Sequence, residues 1–114
     1  MILTYREDTG ASKMIRLKAI SHAKPITLGR GAENDIILND SVCSRVHAAI
    51  RYWDDIFVVR DMGSHNGTLL NGEKIEVAVL HPGDTLKIGN TELNAAAEEG
   101  SGRDVTVISS PKGS

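Results

Sequence analysis

The sequence lacks the features that mark secreted, disulfide-stabilised or membrane-spanning proteins. Its 114 residues include one cysteine, Cys43, so no disulfide can form within the chain, which agrees with a reducing compartment. No apolar run approaches the roughly 20 residues that span a bilayer, and the first ten residues lack the basic-then-apolar order of a signal peptide. We therefore expect a cytoplasmic protein that has no membrane partner.

A broad basic surface and a metal-ligand pattern are also missing. The net charge is -2, so we predict no nucleic-acid partner, and any bound anion has to be met by a local cluster of donors. The four histidines show no metal-ligand spacing, and we predict neither a metal site nor a cofactor.

What the sequence does contain predicts an all-β domain. In residues 14–19 the apolar positions 15, 17 and 19 alternate with basic ones, and in residues 46–51 the apolar positions 46, 48 and 50 alternate with a side that includes His47. A β-branched and aromatic run follows at 56–59. The dipeptides Asn71-Gly72 and Gly89-Asn90 favour hairpin turns. With no stretch of helical periodicity, the chain predicts a sandwich or a small barrel.

The composition changes near the C-terminal end of the chain. Residues 98–114 are polar and rich in glycine and serine, so we expect one domain over residues 1–97 followed by a flexible linker. The apolar stretch at 105–108 fits either an edge strand or a part of whatever follows.

Three loops concentrate the unusual polar residues. They are Leu28-Gly29-Arg30-Gly31, Ser41-Val42-Cys43-Ser44-Arg45-Val46-His47 and Asp61-Met62-Gly63-Ser64-His65-Asn66-Gly67-Thr68. With Asn34-Asp35-Ile36, Asp40 and Asn71-Gly72, their order and spacing over about residues 2–96 resemble the forkhead-associated (FHA) domain. The resemblance implies a β-sandwich of about eleven strands whose loops at one end grip phosphothreonine in an extended peptide, without a catalytic step.

The resemblance also assigns residues by motif position. It implies that the phosphate is faced by Arg30, Ser44, Arg45 and the backbone of His65, that Asn66 holds the peptide main chain, and that the loops are shaped by Gly29, His47 and Asn71. The family commonly has Ser or Thr at position 65, so the usual hydroxyl is missing. Two interpretations of His65 stay open: its imidazole replaces that hydroxyl, or only its backbone contacts phosphate.

Elementary chemistry supports the same assignment. Phosphothreonine carries about -1.5 to -2 charges and several acceptor oxygens, which the planar donor fork of Arg30 fits. Glycines on both sides of Arg30 let the backbone approach a ligand, and Ser44 adds a hydroxyl donor beside the second guanidinium of Arg45. Asn66 can donate to and accept from a peptide amide at once.

Other functions fit the sequence less well. A constitutive assembly domain that does not recognise phosphate is the main alternative, although the retained Arg30 favours phosphate binding. Cys43 and His47 could be imagined as nucleophile and base, but a lone cysteine in an apolar strand is ordinarily a small buried hydrophobe, and His47 more readily fixes a loop by a hydrogen bond. We find no set of nucleophile, base and orienting acid, so we expect no enzyme. The expected partner is a phosphothreonine-containing protein or peptide, in trans or in cis, and the isolated domain is expected to be monomeric.

Overall fold

A computed structural model of the protein describes residues 1–7, 10–19 and 24–98. These residues form eleven β-strands and no helix, so none of them belongs to a helix that could cross a membrane. The strands are β1 (Ile2–Arg6), β2 (Ser12–Arg16), β3 (Ile26–Gly29), β4 (Ile36–Ile37), β5 (Ala48–Trp53), β6 (Ile56–Asp61), β7 (Thr68–Leu70), β8 (Glu73–Ile75), β9 (Val77–Leu80), β10 (Thr85–Ile88) and β11 (Thr91–Ala96).

The strands form two sheets that pack as a sandwich. One sheet has the order β2-β1-β11-β10-β7-β8 and the other β4-β3-β5-β6-β9. Neighbouring strands are antiparallel except β3 and β4, which pair in parallel. The core is filled by inward-facing side chains of both sheets and of the residues that follow β2 and β4. Those with at most 2% exposure include Leu3, Leu17, Leu28, Leu38, Ile50, Val59, Leu80, Leu86, Ile88 and Leu93. Each such side chain contributes roughly 1.5–3 kcal/mol by leaving water.

Backbone conformation at the turns follows from the residue types. Asn71 and Gly72 join β7 to β8 with φ of 51° and 88°, the positive pair that a two-residue hairpin requires. Gly89 has φ of 64° at the first position of the turn between β10 and β11. Both hairpins predicted from the sequence are therefore confirmed.

The strand predicted over residues 14–19 was wrong at its C-terminal end. β2 stops at Arg16 because its partner β1 begins at Ile2, directly opposite. Beyond that pair two further bonds join Met1 and Leu17: Leu17 N donates to Met1 O at 2.7 Å, and the amino group of Met1 donates to Leu17 O at 3.3 Å. Leu17 is fully buried as the alternation indicated, but Ala19 is exposed.

The pattern over residues 46–51 also needs correction. β5 begins at Ala48, and His47, expected on the polar side of that strand, has no exposed surface. Its backbone still pairs, with His47 N donating to Leu28 O at 2.8 Å and His47 O accepting from Met62 N at 2.9 Å. The side chain is buried because it turns into the neighbouring loops.

The expected linker lies almost entirely outside the described residues, and so does the apolar stretch at 105–108. Its first residue, Glu98, is described, and its carboxylate lies 3.0 Å from Arg16 Nε. Contacts of the domain therefore reach at least Glu98.

Candidate functional site

Strand register brings the polar loops together at one end of the sandwich. Leu28 near the end of β3 pairs with Ala48 at the start of β5, and Ala48 pairs with Asp61 at the end of β6. In the other sheet, Ile88 at the end of β10 pairs with Thr68 at the start of β7. The β3–β4, β4–β5 and β6–β7 loops and the β10–β11 turn therefore emerge side by side.

The segment Val42–Arg45 of the β4–β5 loop is the centre of this cluster. On one side, Arg30 N donates to Ser44 O and Gly31 N to Arg45 O, both at 3.0 Å. A Cβ on Gly29 would lie 2.2 Å from Arg45 O, so only glycine permits this approach of the two loops. The exposed side chain of Arg30 turns back over the segment and donates from Nε to Cys43 O at 3.1 Å.

On the other side, the β6–β7 loop is fastened to the same segment. His65 N donates to Ser44 Oγ at 2.9 Å, and Asn66 Nδ2 donates to Val42 O at 3.1 Å. His65 and Asn66 are both exposed. The structure thus brings Arg30, Ser44, Arg45, His65 and Asn66 onto one exposed surface made by three loops.

His47 fixes the position of Ser44 from below. Its Nδ1 accepts a hydrogen bond from Ser44 N at 3.1 Å, and its Nε2 lies 2.8 Å from Gly67 O. Because Ser44 N is a donor and Gly67 O an acceptor, the neutral ring carries its proton on Nε2. One buried side chain therefore ties the β4–β5 loop to the β6–β7 loop.

Asp61 organises the β6–β7 loop. Its Oδ2 accepts from Gly63 N and Ser64 N, both at 3.1 Å, and its Oδ1 accepts from the hydroxyls of Ser64 and Thr68. Burial opposes ionisation of this carboxyl, but the hydrogen bonds from Ser64 and Thr68 outweigh it and hold the pKa of Asp61 below its ordinary value. The loop that presents His65 and Asn66 is thereby closed on a carboxylate.

Asp40 plays the corresponding part for the β10–β11 turn. It is 4% exposed and accepts from Val42 N, Asn90 N and the Thr91 hydroxyl at 2.7 to 2.9 Å. Burial opposes its ionisation, yet these bonds hold the pKa of Asp40 below its ordinary value. From the sequence, Asp40 was noted only as one of the fragments that resemble the FHA domain. Its position directly before a loop that offers backbone N–H groups could have indicated that it holds that loop.

Arg45 is engaged by a carboxylate that sequence reasoning did not single out. Arg45 Nη2 lies 3.2 Å from Oε1 and 3.3 Å from Oε2 of Glu33 in the β3–β4 loop. Both side chains are largely in solvent, 67% exposed for Arg45 and 47% for Glu33. The two expected cations, Arg30 and Arg45, are therefore joined in the site by an anion, Glu33.

Two further residues discussed from the sequence, one assigned to loop shaping and one rejected as a nucleophile, lie outside the exposed surface of the site. Asn71 lies in the β7–β8 turn, where its side chain bonds to Asp84 Oδ1 and Thr85 N, both at 2.9 Å, and so joins that turn to the start of β10. Cys43 was expected in a strand but lies in the β4–β5 loop; it is 2% exposed, and burial raises the pKa of its thiol to about 11. A thiol so hard to ionise is a poor nucleophile.

Comparison of the sequence with known families identifies the family of this domain. The sequence model of the FHA domain matches residues 26–89, from β3 to the β10–β11 turn. The chain belongs to the FHA family. The eleven-stranded sandwich expected from the resemblance is confirmed for this FHA domain, because solved FHA domains superpose on it.

Two curated relatives place the FHA domain beside named regulators. It is 37% identical over 93 residues to the glycogen accumulation regulator GarA of Mycobacterium tuberculosis, a match of 82% of this chain and 54% of GarA. It is 46% identical over 67 residues to the oxoglutarate dehydrogenase inhibitor of Corynebacterium diphtheriae, which is 59% of this chain and 47% of that protein. The chain thus spans about half the length of each relative.

Among solved structures, one that concerns phosphothreonine-dependent FHA domain interactions is similar to this FHA domain with a TM-score of 0.68. The two are 25% identical, and the similarity covers 86% of this chain and 98% of that chain.

Proposed function

We propose that this FHA domain docks proteins that carry phosphothreonine and has no catalytic role. The observation that supports it best is that Arg30 and Asn66, from the loops on either side, both bond to the segment Val42–Arg45, in which the Ser44 hydroxyl is held by His65 N. Guanidinium and hydroxyl donors held on rigid loops are suited to a phosphate dianion, because little side-chain entropy is lost on binding.

Arg30 and Ser44 each have spare donor capacity in this geometry. Arg30 uses Nε for Cys43 O, which leaves its terminal nitrogens directed away from that bond. Ser44 Oγ accepts from His65 N, so the Ser44 hydroxyl proton stays available for a phosphate oxygen. We therefore assign the phosphate to Arg30, Ser44 and Arg45.

His65 N already donates to Ser44 Oγ. To contact phosphate as well, this amide has to share its proton between two acceptors or exchange one for the other. Asn66 is anchored through Nδ2 to Val42 O, and its Oδ1 is suited to accept from a peptide N–H. Gly29 and His47 hold these groups in place, and Asn71 supports the fold at β7 and β8.

Further parts of the proposal concern the whole protein. We place the domain at residues 1–97, followed by a linker whose first residue, Glu98, still contacts the domain, and the protein in the cytoplasm. The domain acts as a monomer and recognises its partner in trans or in cis. Non-catalytic docking agrees with the names of the two relatives, a regulator and an inhibitor.

A constitutive assembly role is the second candidate, and one observation favours it. Large apolar side chains lie on the outer face of the five-stranded sheet, with Ile37 and Val77 each 50% exposed and Trp53 46% exposed. Ile37 and Val77 lie on the two edge strands, β4 and β9, and an exposed edge strand can pair with another chain. That face is separate from the loops, so the two candidates predict different dependence on phosphate.

A phosphothreonine-oriented peptide library, followed by titration of one selected peptide with and without its phosphate, tests the proposal. Preference for the phosphorylated peptide, lost in Arg30→Ala, is the expected result. Equal affinity for both peptides would instead support the assembly role.

A further inference from the structure

Glu33 places a negative charge inside the surface assigned to phosphate. Both of its carboxylate oxygens lie within 3.3 Å of Arg45 Nη2. The side chain folds back over the Gly-Arg loop so closely that a Cβ on Gly31 would lie 2.2 Å from Glu33 Oε1. The carboxylate thus lies beside the residue that follows Arg30 and also engages Arg45.

Electrostatics shows that Glu33 is influenced by both arginines. A hydrogen bond from its own backbone N–H is the main reason that the pKa of the Glu33 carboxyl is lowered, and the charges of Arg45 and Arg30 lower it further. The side chain is therefore ionised at neutral pH. Two guanidinium charges and one carboxylate leave this part of the site with about one net positive charge.

We propose that Glu33 is a specificity-determining residue. Its carboxylate occupies Arg45 in the free domain, and an incoming phosphate has to displace that carboxylate. This inference rests on the proposed function and identifies the group that a peptide anion has to outcompete for Arg45. Glu33 is tethered to the site, so its effective concentration is on the order of millimolar or higher.

The competitor discriminates between kinds of anion. A phosphothreonine dianion offers Arg45 about -1.5 to -2 charges and three acceptor oxygens, more than a carboxylate provides. A peptide aspartate or glutamate offers the same single charge that Glu33 already supplies and loses association entropy as well. The site consequently favours phosphothreonine over an aspartate or glutamate at the same position of the peptide.

The direct test compares phosphopeptide affinity for the wild type and Glu33→Gln, which keeps the shape of the side chain and removes its charge. An exposed ion pair of this kind contributes little, so we expect binding only about three- to fivefold tighter in Glu33→Gln. Asp54→Asn makes the same change of charge at the β5–β6 turn, at the other end of β5 from the site, and is the matched control. We expect less than a twofold effect from the control.

A double-mutant cycle with Arg45→Ala separates competition from a general repulsive field. NMR titration follows dissociation constants into the millimolar range, so the Arg45→Ala background stays measurable. We expect the gain from Glu33→Gln to disappear in that background, because there is no longer a guanidinium to release. A gain of equal size with and without Arg45 would overturn the proposal, and so would unchanged affinity in Glu33→Gln.

The same titrations distinguish a failure of this inference from a failure of the proposed function. If the wild type binds phosphorylated and unphosphorylated peptides equally, the proposed function fails. If it prefers the phosphorylated peptide but Glu33→Gln changes nothing, only the role of Glu33 fails.

Discussion

Replacing Asp61 with asparagine removes the charge on which the β6–β7 loop is closed. The carboxylate accepts from two backbone N–H groups through Oδ2 and from the hydroxyls of Ser64 and Thr68 through Oδ1. Asparagine keeps one acceptor oxygen, and its best orientation leaves that oxygen on the backbone N–H groups and turns Nδ2 toward the hydroxyls. Hydroxyls can rotate to accept, so the remaining loss is mainly that of charge assistance.

We expect Asp61→Asn to lower the free energy of unfolding by about 1–3 kcal/mol at pH 7, because hydrogen bonds to charged groups each contribute about 1.5–3 kcal/mol. Domains of this size are stable by roughly 5–15 kcal/mol, so the variant stays folded. The loop that carries His65 and Asn66 becomes less often competent, and phosphopeptide affinity falls in proportion to that fraction.

Urea unfolding of wild type, Asp61→Asn and the control Asp54→Asn, repeated from pH 7 to pH 3, measures this effect. The pKa of Asp61 in the folded protein lies below its ordinary value of 3.8, so its stabilising contribution is present above that value and is lost as pH falls through the folded pKa. The gap between wild type and Asp61→Asn should therefore narrow below about pH 4. A gap under about 0.5 kcal/mol at pH 7, within the range of ordinary surface substitutions, or a gap that does not depend on pH, would refute the reasoning.

Three further predictions concern the bound peptide. Arg30→Ala should weaken phosphopeptide binding more than tenfold, a loss of about 2–5 kcal/mol, with an unchanged thermal melt. Arg51→Ala, on the outer sheet face, is the control. A folded Arg30→Ala variant that keeps its affinity would contradict the assignment. Phosphothreonine should bind about three- to fourfold more tightly than phosphoserine in calorimetry if the loops hold its methyl group, which is worth on the order of 0.8 kcal/mol; equal affinities would show that no such recess exists. If the His65 ring contacts phosphate, His65→Ala should weaken phosphopeptide binding in calorimetry; an unchanged affinity would leave only its backbone in contact.

The parts of the fold that depend on local chemistry were predictable from the sequence. Asn71-Gly72 specifies its turn because both residues tolerate positive φ, whatever surrounds them. The end of β2 was not predictable, because it depends on where β1, the strand opposite, begins. The two-residue parallel strand β4 carries too little pattern to be recognised without its partner β3.

Some features of the candidate site were likewise predictable from the sequence and others were not. Arg30, Ser44 and Asn66 could be singled out as candidates because their residue types and spacing are characteristic. The pairing of Glu33 with Arg45 joins two loops through side-chain conformation, and the burial of His47 depends on the fold of a third loop around it. Alternation placed His47 only on the side of the strand opposite Val46 and Ala48, whereas the separate prediction that its side chain fixes a loop by a hydrogen bond is confirmed.

Docking that depends on phosphothreonine is the central claim, and a single matched titration tests it most directly. One library-selected peptide is measured by calorimetry against the wild-type protein at fixed salt concentration, once with phosphothreonine and once with threonine. We predict at least tenfold tighter binding of the phosphorylated peptide, since the charge-assisted bonds at Arg30 alone are worth about 2–5 kcal/mol. Affinities that agree within error would contradict the account.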